Sequence, residues 1–170
     1  ALIHPIAPFY SVLIRIDPQN PASTTAFVCD LCSEMPKPTD DGKTFTFKIR
    51  KDVKFHDGSA LTAKDVHASF QHIIFPPDGV QSPRKEHFQM VESVSAPDDE
   101  TFVIKLKYPS GAFLPALASP FHFIYAKAIL DKDPHWFEKN VMGSGPFVFE
   151  AREVVGRHRQ QRFQSYPREG

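Results

Sequence analysis

Cysteine and tryptophan are scarce in this chain of 170 residues, which has two of the first and one of the second. Net charge is also lacking, because 20 basic residues balance 20 acidic ones. This balance gives no electrostatic basis for binding nucleic acid or an anionic membrane. No segment approaches the roughly 20 consecutive apolar residues of a transmembrane helix. The sequence therefore predicts a protein that neither binds nucleic acid nor spans a membrane.

A signal peptide is missing at Ala1, where no basic segment precedes an apolar one. We expect that the sequence either follows a processing site or begins inside a longer protein, and we favour the second interpretation. A length of 170 residues is typical of one domain with its own core.

Cys29 and Cys32 form a C-x-x-C pair, a spacing that occurs in redox dithiols and in zinc sites. A zinc site of this type needs a second pair of ligands at comparable spacing, and the sequence shows none. A redox dithiol normally opens a helix, whereas residues 33–36 lead into a proline-rich loop. We expect structural cysteines, either reduced or joined to each other.

Eight histidines raise the question of a metal or catalytic site. His67 and His72 are five residues apart, not the four that would align them on a helix, and they form no H-E-x-x-H motif. His56 and Asp57 precede Gly58, which is typical of a turn. A metal-dependent hydrolase that uses His56, Asp57 and His67 is kept as the alternative from another functional class.

An alternating pattern marks the run from Asp41 onwards. Phe45, Phe47 and Ile49 alternate with polar side chains, which is the period of a strand with one buried face. Turn signals flank this strand, with one glycine turn at 41–42 and another at 57–58.

A helix is predicted directly after the second turn. Thr62 is placed to cap it, and Asp65 completes an acidic variant of the capping box. Val66 and Phe70 fall on one face, and the prolines at 76–77 end the helix.

Weaker patterns predict the remaining elements. The predicted strands at 90–96 and 101–107 flank a turn and form a hairpin, and a glycine-rich reversal at 141–146 precedes the predicted strand at 147–149. Strands are expected at 10–16, 90–96, 101–107 and 147–149, a strand or helical turn at 26–31, and helices near 113–117 and 126–132.

The literal residues at 47–70, FKIRKDVKFHDGSALTAKDVHASF, resemble the signature of the family 5 extracellular solute-binding proteins. These are the peptide, nickel and oligosaccharide receptors of ABC importers. Residues 54–58, 61–63 and 65–66 fit the family's V-K-F-x-D-G, L-T-A and acid-valine elements without gaps. Residues 143–147 resemble the family's G-[ST]-G-P-aromatic segment, which is a second match.

The resemblance implies an α/β fold of the two-lobe, type II periplasmic-binding-protein kind. Because family members are much longer, it implies that this chain is an incomplete, antiparallel-rich α+β part of the N-terminal lobe. Residues 10–138 would form the smaller subdomain, and residues 139–170 would return to the main sheet.

The resemblance also implies a function. The protein would be the substrate-binding component of an ABC transporter, capturing peptides outside the cytoplasmic membrane and delivering them to the permease subunits. It would be periplasmic or extracellular, with a lipid anchor upstream of Ala1 as an option, and would be neither an enzyme nor dependent on a metal or cofactor. A nickel-chelate or oligosaccharide receptor is the alternative within the fold, and a scaffold without ligand is a third hypothesis.

Two residues match cleft-facing positions of the family. Tyr10 precedes the first strand, where the family often presents an aromatic side chain to the ligand. His122 lies in a segment that carries an anion-facing arginine in nickel-type members, and near pH 7 histidine is a weaker, pH-dependent substitute. The alternative for each is a half-buried core residue, and for Phe88, Phe113 and Trp136 packing is the expected role.

Overall fold

The computed structural model describes residues 9–23, 26–152 and 158–163. Within these ranges, no helix is long and apolar enough to cross a membrane. The elements in chain order are β1 (Ile14–Ile16), β2 (Phe27–Cys29), β3 (Thr44–Lys48), α1 (Ala63–Ile74), a 3-10 helix (Pro83–Phe88), β4 (Val91–Asp98), β5 (Thr101–Leu106), α2 (Phe113–Leu117), α3 (Lys127–Lys132), a second 3-10 helix (Trp136–Glu138), β6 (Phe147–Arg152) and β7 (His158–Arg162).

The largest of the described sheets has three antiparallel strands in the order β3-β5-β4, and α1 packs against β4 and β5. Phe47 of β3 lies opposite Phe102 of β5, and the ring of Phe70 from α1 stacks on Phe102 at 5.6 Å. All three rings are fully buried. The alternating phenylalanines of β3 therefore form the predicted buried face, and they build the core against the predicted face of α1.

The predicted hairpin is present, but its turn is tighter than expected. β4 continues through Pro97 to Asp98, which pairs directly with Thr101. The Asp98 carboxylate accepts the backbone N–H of Glu100 at 2.9 Å and closes a two-residue turn. Two of the four residues predicted as a turn, Pro97 and Asp98, therefore belong to β4.

The first strand is shorter than predicted, beginning at Ile14 instead of Tyr10. Val12 and Leu13 pair with a loop and not with a strand. Their carbonyls accept the N–H groups of two loop residues, Asp30 at Leu13 and Leu31 at Val12. A strand or a helical turn was predicted at 26–31, and the structure has a strand there, since residues 27–29 form β2.

Cys29 and Cys32 are joined by a disulfide, with their Cα atoms 5.1 Å apart. Of the two alternatives expected for structural cysteines, the structure has the locally bridged one. The bridge lies between β2 and an isolated β-bridge that pairs Cys32 with Ile49 at the end of β3.

The capping box of α1 has the predicted form and one contact more. The Thr62 side chain accepts the Lys64 N–H, and the Asp65 carboxylate accepts the Thr62 N–H at 2.9 Å. The other carboxylate oxygen of Asp65 accepts the backbone N–H of Lys127, the first residue of α3, at 2.8 Å. One buried carboxylate therefore satisfies the starts of two helices.

Replacing this carboxylate should lower the free energy of unfolding by more than the loss of an ordinary helix cap does. The substitution Asp65→Ala leaves N–H groups of both helices without an acceptor, so we expect the free energy of unfolding to fall by about 2–4 kcal/mol. Urea denaturation followed by circular dichroism measures the loss.

Asp131 provides the matched control, because its exposed carboxylate pairs with the side chain of the same Lys127. Asp131→Ala should change the free energy of unfolding by less than about 1 kcal/mol. Equal losses for the two variants would contradict the double-cap role of Asp65.

Candidate functional site

Four aromatic residues from three separate segments form one cluster, here named the aromatic wall: Tyr10, Phe123, Tyr125 and Phe137. Tyr10 stacks on Phe123 with ring centroids 5.0 Å apart and meets the edge of Tyr125 at 5.3 Å. Tyr125 stacks on Phe137 at 4.1 Å. Tyr10 and Phe123 are each only 5% exposed, whereas Tyr125 and Phe137 are half-buried. The accessible surface of the wall therefore comes mainly from Tyr125 and Phe137.

Helix α1, which carries part of the family-like signature, positions the aromatic wall, although no residue of the wall belongs to it. The Ser69 hydroxyl accepts the backbone N–H of Tyr125 at 2.8 Å and donates to the Asp65 carbonyl at 2.9 Å. Together with the bond from Lys127 to Asp65, this fixes the backbone on both sides of Ala126. The position of Tyr125 is therefore set by polar groups of α1.

Tyr10 is fixed at its hydroxyl and through the residue that follows it. The hydroxyl accepts the Met142 N–H at 3.3 Å, and the Ser11 carbonyl accepts the Ile124 N–H at 2.9 Å. Burial raises the pKa of the Tyr10 and Tyr125 phenols, so both are neutral at pH 7. The wall therefore presents apolar rings without a charge of its own.

The glycine-rich reversal at 141–146 packs directly on the segment that carries Tyr10. Gly145 donates its N–H to the Phe9 carbonyl at 3.0 Å. A side chain on Gly143 would place its Cβ 2.0 Å from the same carbonyl oxygen, so only glycine fits. Gly143 of this second family-like motif therefore permits a close backbone contact.

His56 connects the signature turn to this reversal. Its backbone N–H donates to the Gly143 carbonyl at 2.8 Å, and its ring Nε2 lies 3.0 Å from the Gly145 carbonyl. Since a carbonyl only accepts, Nε2 carries the proton. Burial lowers the pKa of this imidazole. The Asp57 carboxylate instead accepts the N–H and hydroxyl of Ser59, as a turn residue does.

The residues of the hydrolase hypothesis thus make separate structural contacts. His56 binds the glycine reversal and Asp57 closes its own turn, while His67 is half-buried on α1. In the part of the chain that the structure describes, no group of three or more His, Cys, Asp or Glu side chains could hold a metal ion.

His122 has no exposed surface and lies between Phe88, at 5.1 Å, and Phe70, at 6.2 Å between ring centroids. Neither ring nitrogen has a hydrogen-bond partner among the described residues. Burial lowers the pKa of the imidazole to about 4, and the nearby charge of Arg84 acts in the same direction. The Leu117 carbonyl opposes the shift without completing a hydrogen bond. His122 is therefore neutral at pH 7.

The two predicted ligand-binding residues contact different clusters on either side of the segment 121–125. Tyr10 packs against Phe123, on the side of the wall, and His122 points into the core formed by Phe70 and Phe88. Their roles in binding stay predictions.

Tyr125 and Phe137 were not identified from the sequence as site residues. No local signal marks Tyr125, because the run PFHFIY is apolar at almost every position. In the structure His122, Phe123 and Ile124 are buried, whereas Phe121 and Tyr125 keep part of their surface, so the burial does not alternate. Phe137 has no local signal either.

Acid should destabilise the folded chain through His122. The folded state has a pKa of about 4 at this imidazole and the unfolded state about 6.5, so between these values only the unfolded chain takes up the proton. The free energy of unfolding should fall as the pH drops below about 6.5, by roughly 3 kcal/mol in total near pH 4. Chemical denaturation at a series of pH values between neutral and about 4.5 measures this loss.

His122→Leu removes the titrating group and should retain more of its stability in acid than the unsubstituted chain does. Burial also lowers the pKa of His56, His67 and His72, but both proteins share these groups, so the difference isolates His122. The exposed His135 serves as the control, and His135→Gln should keep the acid sensitivity. An equal loss in His122→Leu would exclude the proposed cause.

Comparison with known sequences gives a family match and close relatives. Residues 26–169 match the family described as "Bacterial extracellular solute-binding proteins, family 5 Middle". The chain is 32% identical over 130 residues to the glutathione-binding protein GsiB of Pectobacterium atrosepticum, covering 76% of this chain and 25% of that protein. It is 36% identical over 124 residues to the oligopeptide-binding protein AppA of Bacillus subtilis, covering 69% and 22%.

Solved structures share the fold. AppA in complex with a nonapeptide superposes with a TM-score of 0.78 at 30% identity, covering 94% of this chain and 31% of that one. The binding protein AgaA of A. tumefaciens R10 in complex with agropinic acid gives a TM-score of 0.81 at 25% identity, covering 96% and 32%.

This chain spans about a third or less of the length of the relatives it matches. The predicted fold is confirmed, since the structure is a mixed α/β part of the periplasmic-binding-protein fold with antiparallel sheets. The family consists of binding proteins, which confirms the prediction that the chain is not an enzyme. The chain belongs to family 5 of the bacterial extracellular solute-binding proteins.

Proposed function

We propose that the protein carrying this chain is the solute-binding component of an ABC importer, and that it captures peptides and delivers them to the permease subunits. One observation supports the choice of a peptide as the ligand. AppA matches both in sequence, at 36% identity, and in structure, with a TM-score of 0.78, and its structure contains a bound nonapeptide. Such a protein would work in the periplasm or outside the cell, with a lipid anchor as one option.

The aromatic wall suits this role. A site that encloses a small ligand needs a mostly apolar surface with a few fixed polar groups. Tyr125 and Phe137 offer stacked rings with part of their surface accessible, and the neutral Tyr125 hydroxyl adds a polar group. Rings of this kind can pack on the side chains and the flat backbone of a peptide whatever its sequence.

Tyr10 and His122 take part in the proposal in different ways. Tyr10 would contact the ligand at the small exposed edge of its ring and support Tyr125 from behind. His122 is neutral and has no exposed surface, so a ligand would reach it only if core residues around it moved. The division into residues 10–138 and 139–170 likewise remains a proposal about the complete receptor.

Calorimetry on the complete protein tests the choice of ligand. Peptides from dipeptides to a nonapeptide should bind with a dissociation constant in the micromolar range or below. Glutathione, agropinic acid, an oligosaccharide and a nickel–histidine chelate are the competing ligands, and preference for one of them would replace the peptide proposal. These 170 residues alone should bind every ligand weakly or not at all, because the chain spans about a third or less of its relatives' length and the rest of an enclosing site would come from the remainder.

Substitution of the accessible wall tests the location of the site. Tyr125→Leu in the complete protein keeps an apolar side chain but removes the aromatic face and the hydroxyl. We expect the dissociation constant for the best peptide to rise by about tenfold. Tyr108→Leu is the matched control, because Tyr108 is 51% exposed and lies outside the wall. Equal affinities of the two variants would place the site elsewhere.

A further inference from the structure

The disulfide between residues 29 and 32 closes a two-residue loop, Asp30 and Leu31, here named the clamp loop. On one side this loop binds the segment that carries Tyr10. The Asp30 N–H donates to the Leu13 carbonyl at 3.0 Å, and the Leu31 N–H donates to the Val12 carbonyl at 3.2 Å. In the opposite direction, the Val12 N–H donates to the Asp30 carboxylate at 3.0 Å.

On its other side the clamp loop binds the end of β3. The Asp30 carbonyl accepts the Arg50 Nε–H at 2.8 Å, and the Leu31 carbonyl accepts the Arg50 backbone N–H at 2.9 Å. Cys32 forms a β-bridge with Ile49 next to this contact. Both N–H groups and both carbonyls of the clamp loop are thus used, so the loop links the main sheet to residues 12–13.

This link ends at the aromatic wall. Val12 is two residues from Tyr10, and the intervening Ser11 accepts the Ile124 N–H at 2.9 Å between the wall residues Phe123 and Tyr125. A shift of the clamp loop would therefore move the backbone of Tyr10 and disturb its stacking on Phe123.

Restriction of the unfolded chain accounts for little of the effect of this disulfide. A crosslink restricts the unfolded chain less as the loop it closes becomes shorter, and this loop is among the shortest possible. The main effect must therefore be local, on the conformation of residues 30–31 in the folded state. Cys32 is fully buried but Cys29 is only half-buried, so a small reductant has a route to the bridge.

We propose that the Cys29–Cys32 disulfide is a positioning element for ligand binding, which holds the clamp loop so that Tyr10 keeps its place in the aromatic wall. The complete protein then binds its ligand more tightly with the disulfide formed than with two thiols. This inference rests on the proposed function, since it assumes that the wall contacts the ligand.

Two treatments of the complete protein open the bridge. In the first, a water-soluble phosphine reduces the disulfide: phosphorus gives up two electrons and takes the oxygen of water, and the two sulfurs each receive one proton. In the second, Cys29→Ser/Cys32→Ser removes the bridge permanently. The phosphine added to the double variant is the matched control, because it has no bridge to open there.

Hydrogen exchange by mass spectrometry and calorimetry are measured on the same samples. Exchange should accelerate about tenfold or more in the segments 9–13 and 30–33, but not in the central strand β5. The dissociation constants for trialanine and for a nonapeptide of mixed sequence should rise by about tenfold, as expected for the loss of one or two ordering hydrogen bonds. The phosphine should change neither quantity in the double variant.

The outcomes separate this inference from the proposed function. Unchanged exchange in 9–13 after opening would overturn the positioning role. Faster exchange with unchanged affinity would overturn its connection to binding. If neither peptide binds the untreated protein, the peptide proposal fails, and exchange in 9–13 still decides whether the disulfide positions Tyr10.

Discussion

The buried carboxylate of Asp65 is the contact on which the rest of the site depends. A helix start leaves N–H groups that must find acceptors, and this requirement becomes strict where the start is buried. Asp65 meets it for α1 and α3 at once, through the Thr62 and Lys127 N–H groups. Burial raises the pKa of this carboxyl, and the same hydrogen bonds oppose the shift by favouring its charged form. The acid-valine pair of the signature is thereby explained without any ligand.

The polar contacts of α1 determine where the apolar wall stands. Ser69 lies one turn after Asp65 and binds the Tyr125 N–H, while His56 binds the reversal that packs on Phe9. Hydrophobic burial is non-directional, whereas a hydrogen bond fixes the position of the backbone from which a ring extends. Tyr125 is therefore partly exposed although the backbone on both sides of Ala126 is hydrogen-bonded to α1.

Sequence reasoning succeeded where a feature depends on near neighbours. The strand of Phe45 and Phe47 and the capping box of Thr62 follow from side chains within a few residues, and both have the predicted form. It failed where partners are distant along the chain. Residues 12–13 bind the clamp loop and not a strand, and the second partner of Asp65 is Lys127. No local pattern contains these pairings, so the length of β1 and the membership of Tyr125 and Phe137 in the wall could not be predicted from one sequence.

The contacts that build the fold do not by themselves determine which ligand is bound. GsiB, AppA and AgaA are named or solved with three different ligands, although all share this fold with the chain. A feature shared by proteins with different ligands cannot itself discriminate among them. Asp65, Ser69 and the glycine reversal make contacts within this chain, so discrimination would come from groups at the accessible surface. Under the proposed function, the accessible rings of the aromatic wall, Tyr125 and Phe137, would supply that discrimination, with Tyr10 packed against Tyr125.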